Sequence, residues 1–358
     1  MNYVRYNDTI MILKHVFLQN FRNYVKYEVG IHEQLTIVVG PNARGKTNLL
    51  ESIYMGVNGV GFRETKEEEL LRWDEESGLI ETKWNDNGSE FLFQILLHKS
   101  VDKLTKKYHV NKTTKTHHAY SNYQTRAVLF APEQIELITG SPDKRREYVN
   151  IVIGMHDHEY KKKVQNYEQA LRKRNKVLEY HSDIHRLKEE LIFWNTYLLE
   201  QAIYIQKKRE EYVCFLLEHK FIDNRSFEIG YVKNEFSEAR LEEKFDLETK
   251  VRRTLIGPQK DDFIVRMVTE KEKKSMHVYG SRSEQRLAVV WLKLNEIFLI
   301  ESELKKRPIL LLDDVFSELD TNNKNLVLKL VKDYQTVLTT TEEQLSEVTG
   351  LPQEVVKI

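Results

Sequence analysis

The chain has 358 residues, with 55 basic and 55 acidic side chains, a formal net charge of zero, 41% hydrophobic residues and one cysteine. This composition excludes collagen-like, disordered and disulfide-stapled classes, and the balanced charge leaves no global field to draw the chain onto a polyanion, so any nucleic-acid contact must be regional. Single cores stop growing near about 250–300 residues, so a core carrying an inserted second body is expected. No run of apolar residues is long enough to cross a membrane and no signal-peptide pattern occurs, so the expected location is cytoplasmic, with no membrane partner. Cys214 lies in an apolar run, and core packing is its expected role.

In chain order, residues 12 to 40 read as strand, turn, strand, then a third strand Leu35-Thr36-Ile37-Val38-Val39 running into Gly40. Phe91 to Leu97 and the region of Tyr108 also look strand-like, and Pro132, Gly140 and Pro142 then punctuate the chain. Between Gly154 and Gly230 there is no glycine, and between Pro142 and Pro258 no proline. Apolar residues there recur at Tyr160, Val164, Tyr167 and Leu171, then at Ile184, Leu187, Leu191, Trp194 and Leu198, which are helical spacings. His181-Ser182-Asp183 offers a break with an N-cap, so the helices are expected to fold back as an arm. Strand patterns return at Phe263 to Val268 and Met276 to Tyr279, a helix is expected over Glu284 to Leu304, and Ile309 to Leu312 is an aliphatic strand suited to a sheet covered on both faces. Thr336 to Thr339 is the last strand expected.

Gly40-Pro41-Asn42-Ala43-Arg44-Gly45-Lys46-Thr47 fits the phosphate-loop pattern G-x-x-x-x-G-K-[ST], between a β-branched strand and the helical Asn48-Leu49-Leu50. Glycines let successive N–H groups curl around phosphate oxygens, and the helix N-terminus adds partial positive charge. Lys46 is then expected to reach the β- and γ-phosphates and Thr47 to offer a hydroxyl to Mg²⁺, with ATP or GTP as the ligand.

Asp313 and Asp314 end the aliphatic strand, as in a Walker B element. Asp313 is the expected Mg²⁺ partner, and Asp314 the candidate base that orients the attacking water. Val315-Phe316-Ser317-Glu318-Leu319-Asp320 has the form of the D-loop of ABC-type ATPases, and Ser281-Arg282-Ser283-Glu284-Gln285 resembles their S-x-G-x-Q signature. Polar residues before a helix are more often a plain N-cap, but the order phosphate loop, signature, Walker B, D-loop favours the ATPase.

With these residues in hand, the chain resembles the RecF family, bacterial DNA-repair ATPases related to SMC heads, over nearly everything from Met11 onward. The resemblance rests on Gln19-Asn20-Phe21-Arg22-Asn23-Tyr24, on the phosphate loop through Glu51, on Pro132-Glu133 to Gly140-Ser141-Pro142-Asp143-Lys144-Arg145-Arg146-Glu147-Tyr148, on Gly257-Pro258-Gln259-Lys260-Asp261-Asp262, and on Leu312 to Asp320. It implies an α/β fold: an ABC-type P-loop ATPase head with an inserted, mostly helical lobe. The expected boundaries are an N-terminal extension at 1–10, a head from 11–130 and 251–358, and an arm from 131–250. Gly40, Asn42, Ala43, Arg44, Gly45, Lys46, Thr47 and Asn48 would bind nucleotide from one copy. Ser281 and Ser283 of a second copy would contact the same nucleotide, giving an ATP-dependent homodimer, and Gln285, Ser317 and Asp320 are further candidate nucleotide-binding residues. The family further implies a slow, DNA-stimulated ATPase that binds double-stranded DNA and junctions with single strands, and acts with RecR, RecO and RecA. The chain departs from the family where Ser283 replaces Gly, Gln259 and Lys260 replace His-Arg, and Asn150 replaces Asp. Thr340 or Thr341 lies near the usual switch His. A side chain at Ser283 is expected to weaken contact across the dimer and slow hydrolysis further.

Basic residues cluster at Lys99, Lys103, Lys106, Lys107, Lys112 and Lys115, and at Lys161, Lys162, Lys163, Arg172, Lys173, Arg174 and Lys176. Such runs are usually solvated faces; with the resemblance they become candidates for contact with DNA phosphates. The spacing of His98, His109, His117, His118, His156 and His158 matches no standard metal-ligand set. Two rival readings are a small-molecule phosphotransferase, which has no use for a signature or D-loop, and a nucleotide-dependent regulator that hydrolyses nothing.

Overall fold

The computed structural model describes residues 11–358 apart from 64–66, 101–102, 124, 181–182, 223, 271, 318 and 342–349. In chain order it runs through strands β1 (Met11–Phe21), β2 (Tyr24–Gly30) and β3 (Leu35–Val39), then helix α1 (Lys46–Asn58). Next come β4 (Ser77–Asp86), β5 (Ser89–Ser100), β6 (Lys103–Val110), β7 (Thr113–Lys115), α2 (His117–Tyr123) and β8 (Ala127–Phe130). The middle of the chain holds α3 (Glu136–Thr139), α4 (Pro142–Gly154), α5 (His158–Tyr180), α6 (Ile184–Glu218), β9 (Phe221–Ile222), β10 (Arg225–Val232), α7 (Glu238–Val251), β11 (Asp262–Val268), β12 (Lys273–Ser275) and α8 (Met276–Tyr279). The chain closes with α9 (Arg282–Leu304), β13 (Ile309–Asp313), α10 (Thr321–Asp333), β14 (Thr336–Thr340) and β15 (Gln353–Lys357).

These elements form two compact units, one of residues up to Glu133 with Glu296–Ile358, the other of Gln134–Asn295. In the first, β15-β3-β14-β13-β8 make a five-stranded parallel sheet and β2-β1-β4-β5-β6-β7 a six-stranded antiparallel one. Every residue of β3, β8, β13 and β14 is buried, which explains their largely apolar composition, the polar exceptions being Thr36, Asp313, Thr336, Thr339 and Thr340. Helix α1 joins the sheets: Leu49, Leu50, Ile53, Met55 and Val57 share one core with Val16 and Leu18 of β1, Ile80 of β4, Leu311 of β13 and Val337 of β14. Each such side chain contributes about 1.5–3 kcal/mol by leaving water, so the helix that carries the phosphate loop is firmly seated.

The second unit carries the antiparallel pair α5 and α6 and a four-stranded sheet, β12-β11-β10-β9. Asp183 caps α6 by accepting from the His185 N–H at 2.9 Å; the other two residues of the expected break, His181 and Ser182, lie outside the described residues. Residues 251–295, expected with the head, group with the helical unit, because β11 pairs along its length with β10 and Asp261 is enclosed by side chains of that unit.

Other expectations need correcting. Met276–Tyr279 is a helical turn, not a strand; the Gln285 amide ties it down by donating to the Met276 carbonyl at 3.0 Å. β15 is an additional parallel strand beyond Thr336–Thr340, paired with β3. Cys214 is exposed, because Val213 and Leu216 take the buried positions of that turn of α6.

Candidate functional site

The strand order β3-β14-β13 brings the C-terminal ends of three neighbouring parallel strands to one edge, the place where ligands bind in open α/β sheets. Residues 40–45 follow β3 there. Ala43 (φ 63°) and Gly45 (φ 112°) are both left-handed, and interleaving such residues with ordinary ones turns successive N–H groups toward one side. The first N–H groups of α1 have no intrahelical partner, and its first turn holds no acidic residue to compete with an anion. Lys46 is buried, its ammonium folded back onto its own loop, donating to the Gly40 carbonyl at 2.7 Å and the Pro41 carbonyl at 2.9 Å. Asn42, Ala43 and Arg44 are exposed. Asn48 bridges outward, donating to Asn23 at 2.7 Å and accepting from Arg63 at 2.6 Å.

Asp313 ends β13 beside this loop. Thr47 Oγ1 donates to its Oδ1 at 3.1 Å, and Thr339 Oγ1, opposite it in register on β14, donates to the same oxygen at 2.7 Å. Asp314 is left-handed (φ 48°), and its N–H donates to the Thr339 hydroxyl at 3.1 Å and carbonyl at 3.2 Å. Ser317 closes a short 3₁₀ turn, Glu318 lies outside the described residues, and Asp320 caps α10 by accepting from the Asn323 N–H at 2.8 Å.

Ser281, Ser283 and Gln285 belong to the second unit. Ser281 and Glu284 form a capping box: the Ser281 N–H donates to Glu284 Oε2 at 2.7 Å, and the Glu284 N–H to Ser281 Oγ at 3.3 Å. Burial opposes the Glu284 charge, but the Ser281 groups and Lys274 hold its carboxyl below the usual range. Ser283 sits in the first turn of α9, and Gln285 is buried against the Met276 carbonyl.

The basic clusters divide. On β6, Lys103 and Lys107 share one face of the sheet and Lys106 the other, because side chains alternate. The Lys115 ammonium lies over the Tyr123 ring. In the arm, Arg174 is buried and paired with Glu248 at 2.7 Å, so it is no surface cation. Lys162, Arg172, Lys173 and Lys176 are exposed.

Three residues not among the expected site residues stand against the loop and Asp313: Asn23, Tyr24 and Thr339. The available signals are the polar pair after Phe21 and the run of threonines ending β14. As a donor set, the loop presents N–H groups and an ammonium suited to phosphate oxygens, while the Thr47 hydroxyl and Asp313 carboxylate are hard oxygen ligands suited to Mg²⁺. These residues fit a magnesium nucleotide.

The model of the RecF/RecN/SMC N terminal domain matches residues 12–357. The DNA replication and repair protein RecF of Natranaerobius thermophilus is 32% identical, covering 92% of this chain and 91% of that protein. The protein of the same name from Bacillus cereus is also 32% identical, covering 97% and 95%. Among solved structures, the recombination mediator protein RecF-ATPrS in the RecFOR pathway superposes with a TM-score of 0.85 at 29% identity, covering 98% of this chain and 97% of that one. An Smc head domain from Pyrococcus furiosus, at 16% identity and a TM-score of 0.50, shares the fold. With the family model spanning nearly the whole chain and relatives above 30% identity along it, the chain belongs to the RecF family of DNA replication and repair proteins.

Proposed function

We propose that this chain is an ATP-dependent DNA-binding clamp of replication and recombinational repair, a slow ATPase that closes as a nucleotide-bridged homodimer. The observation that carries the reading is the 3.1 Å hydrogen bond from Thr47 to Asp313, which joins residues 266 positions apart at the sheet edge where the phosphate loop opens. The RecF relatives and the RecF-ATPrS neighbour support it.

In this reading Lys46 exchanges the carbonyls of Gly40 and Pro41 for phosphate oxygens, and the N–H groups at the start of α1 hold the phosphates in place. Bound Mg²⁺, held by Thr47 and Asp313, would supply charge neutralisation at the phosphates. Asp314 orients the attacking water. Ser281 and Ser283 reach the nucleotide of a second copy, and the side chain at Ser283 slows the reaction. Ser317 and Asp320 border the same interface. Exposed lysines such as Lys103, Lys107, Lys173 and Lys176 grip duplex phosphates near single-strand junctions, without reading base sequence. By family, RecR, RecO and RecA are the partners, and the cytoplasm is the location; among the described residues no helix is long and apolar enough to cross a membrane.

The test is MgATP binding, gel filtration and gapped-duplex binding with wild-type and Lys46→Ala protein. Wild type should bind nucleotide, dimerise with it and then bind DNA, and Lys46→Ala should lose all three. DNA affinity should fall about 10³-fold or more between 50 and 200 mM salt if six or more phosphates are neutralised. A flat salt response, or turnover stimulated by a metabolite in place of DNA, would refute the clamp.

A further inference from the structure

Asn23 and Tyr24 lie where β1 turns into β2, and nucleotide chemistry assigns them nothing. Yet Asn23 Nδ2 donates to the Arg44 carbonyl at 3.2 Å, and the Tyr24 hydroxyl donates to the Gly45 carbonyl at 3.1 Å. Asn23 Oδ1 also accepts from Asn48 at 2.7 Å. The approach is close: a Cβ on Gly45 would come within 2.7 Å of Asn23 Nδ2 and 2.9 Å of the Tyr24 hydroxyl. Tyr24 is buried, and its burial, with Tyr27 beside it, holds the hydroxyl protonated above the usual range, so it remains a donor.

The turn itself is anchored. Arg22 donates to both oxygens of Glu51, at 2.9 and 3.0 Å, and Glu51 is a fully buried carboxylate of α1 that also holds Arg63 at 2.6 Å. The turn and the loop it touches are therefore fixed to the same helix.

A trans peptide is planar, with its C=O and N–H pointing in opposite directions. The Arg44 carbonyl shares a peptide unit with the Gly45 N–H, and the Gly45 carbonyl with the Lys46 N–H. Holding those two carbonyls from behind aims those two N–H groups into the cradle. We propose that Asn23 and Tyr24 are positioning residues of the nucleotide site, setting the direction of the Gly45 and Lys46 N–H groups through the Arg44 and Gly45 carbonyls. The inference rests on the nucleotide reading above.

The test uses Tyr24→Phe, Asn23→Ala and the double variant in the full chain. Binding of MgATP, and of Mg²⁺-pyrophosphate as a competitor lacking base and ribose, is measured beside the melting temperature without nucleotide. Each single variant should weaken both ligands by a similar factor, about 3–10-fold, the size of one lost hydrogen bond, and the double variant by more. The loss should persist per folded molecule, with Tyr24→Phe melting close to wild type. Variants that bind as wild type does, or that lower the melting temperature while binding per folded molecule is unchanged, overturn the inference. Wild-type protein that fails to bind MgATP refutes instead the nucleotide reading beneath it.

Discussion

Arg209→Ala is expected to lower the stability of the second unit by about 3–5 kcal/mol, the cost of leaving a buried charge without its partner. Asp261 is fully buried. Its Oδ2 accepts from Arg209 at 2.6 Å and from the Tyr231 hydroxyl, while its Oδ1 accepts from the Asn234 N–H at 2.7 Å and from Gln206 at 3.1 Å. Arg209 spends its other donors on the Pro258 carbonyl at 2.8 Å, the Tyr160 hydroxyl at 3.2 Å and Asn150 at 3.0 Å. Burial by itself disfavours the guanidinium charge, but the accepting Tyr160 hydroxyl and the Asp261 carboxylate more than offset it and keep Arg209 charged. The network ties α4, α5, α6, β10 and the start of β11 to one another, so truncation at its centre should loosen them together. Urea unfolding followed by proteolysis within residues 134–295 measures it. Asp261→Asn, which keeps the shape but turns one acceptor oxygen into an NH₂ facing two donors and leaves the Arg209 charge without its partner, should cost a comparable amount. A loss below about 1 kcal/mol for Arg209→Ala would show that water replaces the guanidinium freely.

The same network shows where the sequence is hard to read. Gly257-Pro258-Gln259-Lys260-Asp261-Asp262 stands out as a motif, but a motif does not say whether its acids face solvent, a ligand or the core. Asp261 faces the core, whereas Asp262 pairs with Arg145 at 2.7 and 3.0 Å. Two departures from the family pattern have local structural roles. Gln259 accepts from the Tyr167 hydroxyl at 2.5 Å and donates to the Ile256 carbonyl at 2.7 Å, and Asn150 accepts from both Arg209 and Tyr160. Continuous or periodic apolar patterns were legible: β3, β13 and the arm helices stand where their spacing puts them. β15 was not, because Gln353-Glu354-Val355-Val356-Lys357 is polar and short; it is a strand because β3 offers it an edge. Four-residue Met276–Tyr279 has too few positions to separate a period of two from a turn of helix, and its neighbours decide it.

At the site the split is similar. The loop from Gly40 to Thr47 and the strand-end carboxylate Asp313 follow from local pattern, because their geometry depends on the strand or helix that carries them. Asn23, Tyr24 and Thr339 act by position across strands, which no spacing within one segment encodes. The capping box at Ser281 and the buried amide of Gln285 hold the start of their own helix. A structural role of that kind is invisible until the turn is folded.

Asp314→Asn should retain MgATP affinity while turnover falls by about 10²–10⁴-fold, the usual worth of a positioned acid or base. Asparagine is the informative substitution because Asp314 is left-handed, a conformation Asn accepts about as readily as Asp, while alanine would add about 1–2 kcal/mol of backbone strain. The Asp314 N–H would keep its bonds to Thr339, so the strand end stays in place. ATP should therefore stay bound, and the variant should accumulate as a nucleotide-bridged dimer on gel filtration. Asp313→Asn should behave differently. Its amide oxygen can still accept from Thr47 and Thr339, but the negative charge beside the phosphate loop is gone, so ATP affinity should lose its dependence on Mg²⁺. Reading affinity with and without Mg²⁺ for both variants separates the carboxylate that holds the metal from the one that directs water. Should Asp314→Asn remain monomeric with ATP, closure does not depend on retained triphosphate; should both variants lose the Mg²⁺ effect alike, the two carboxylates share the metal and the division of labour between them fails.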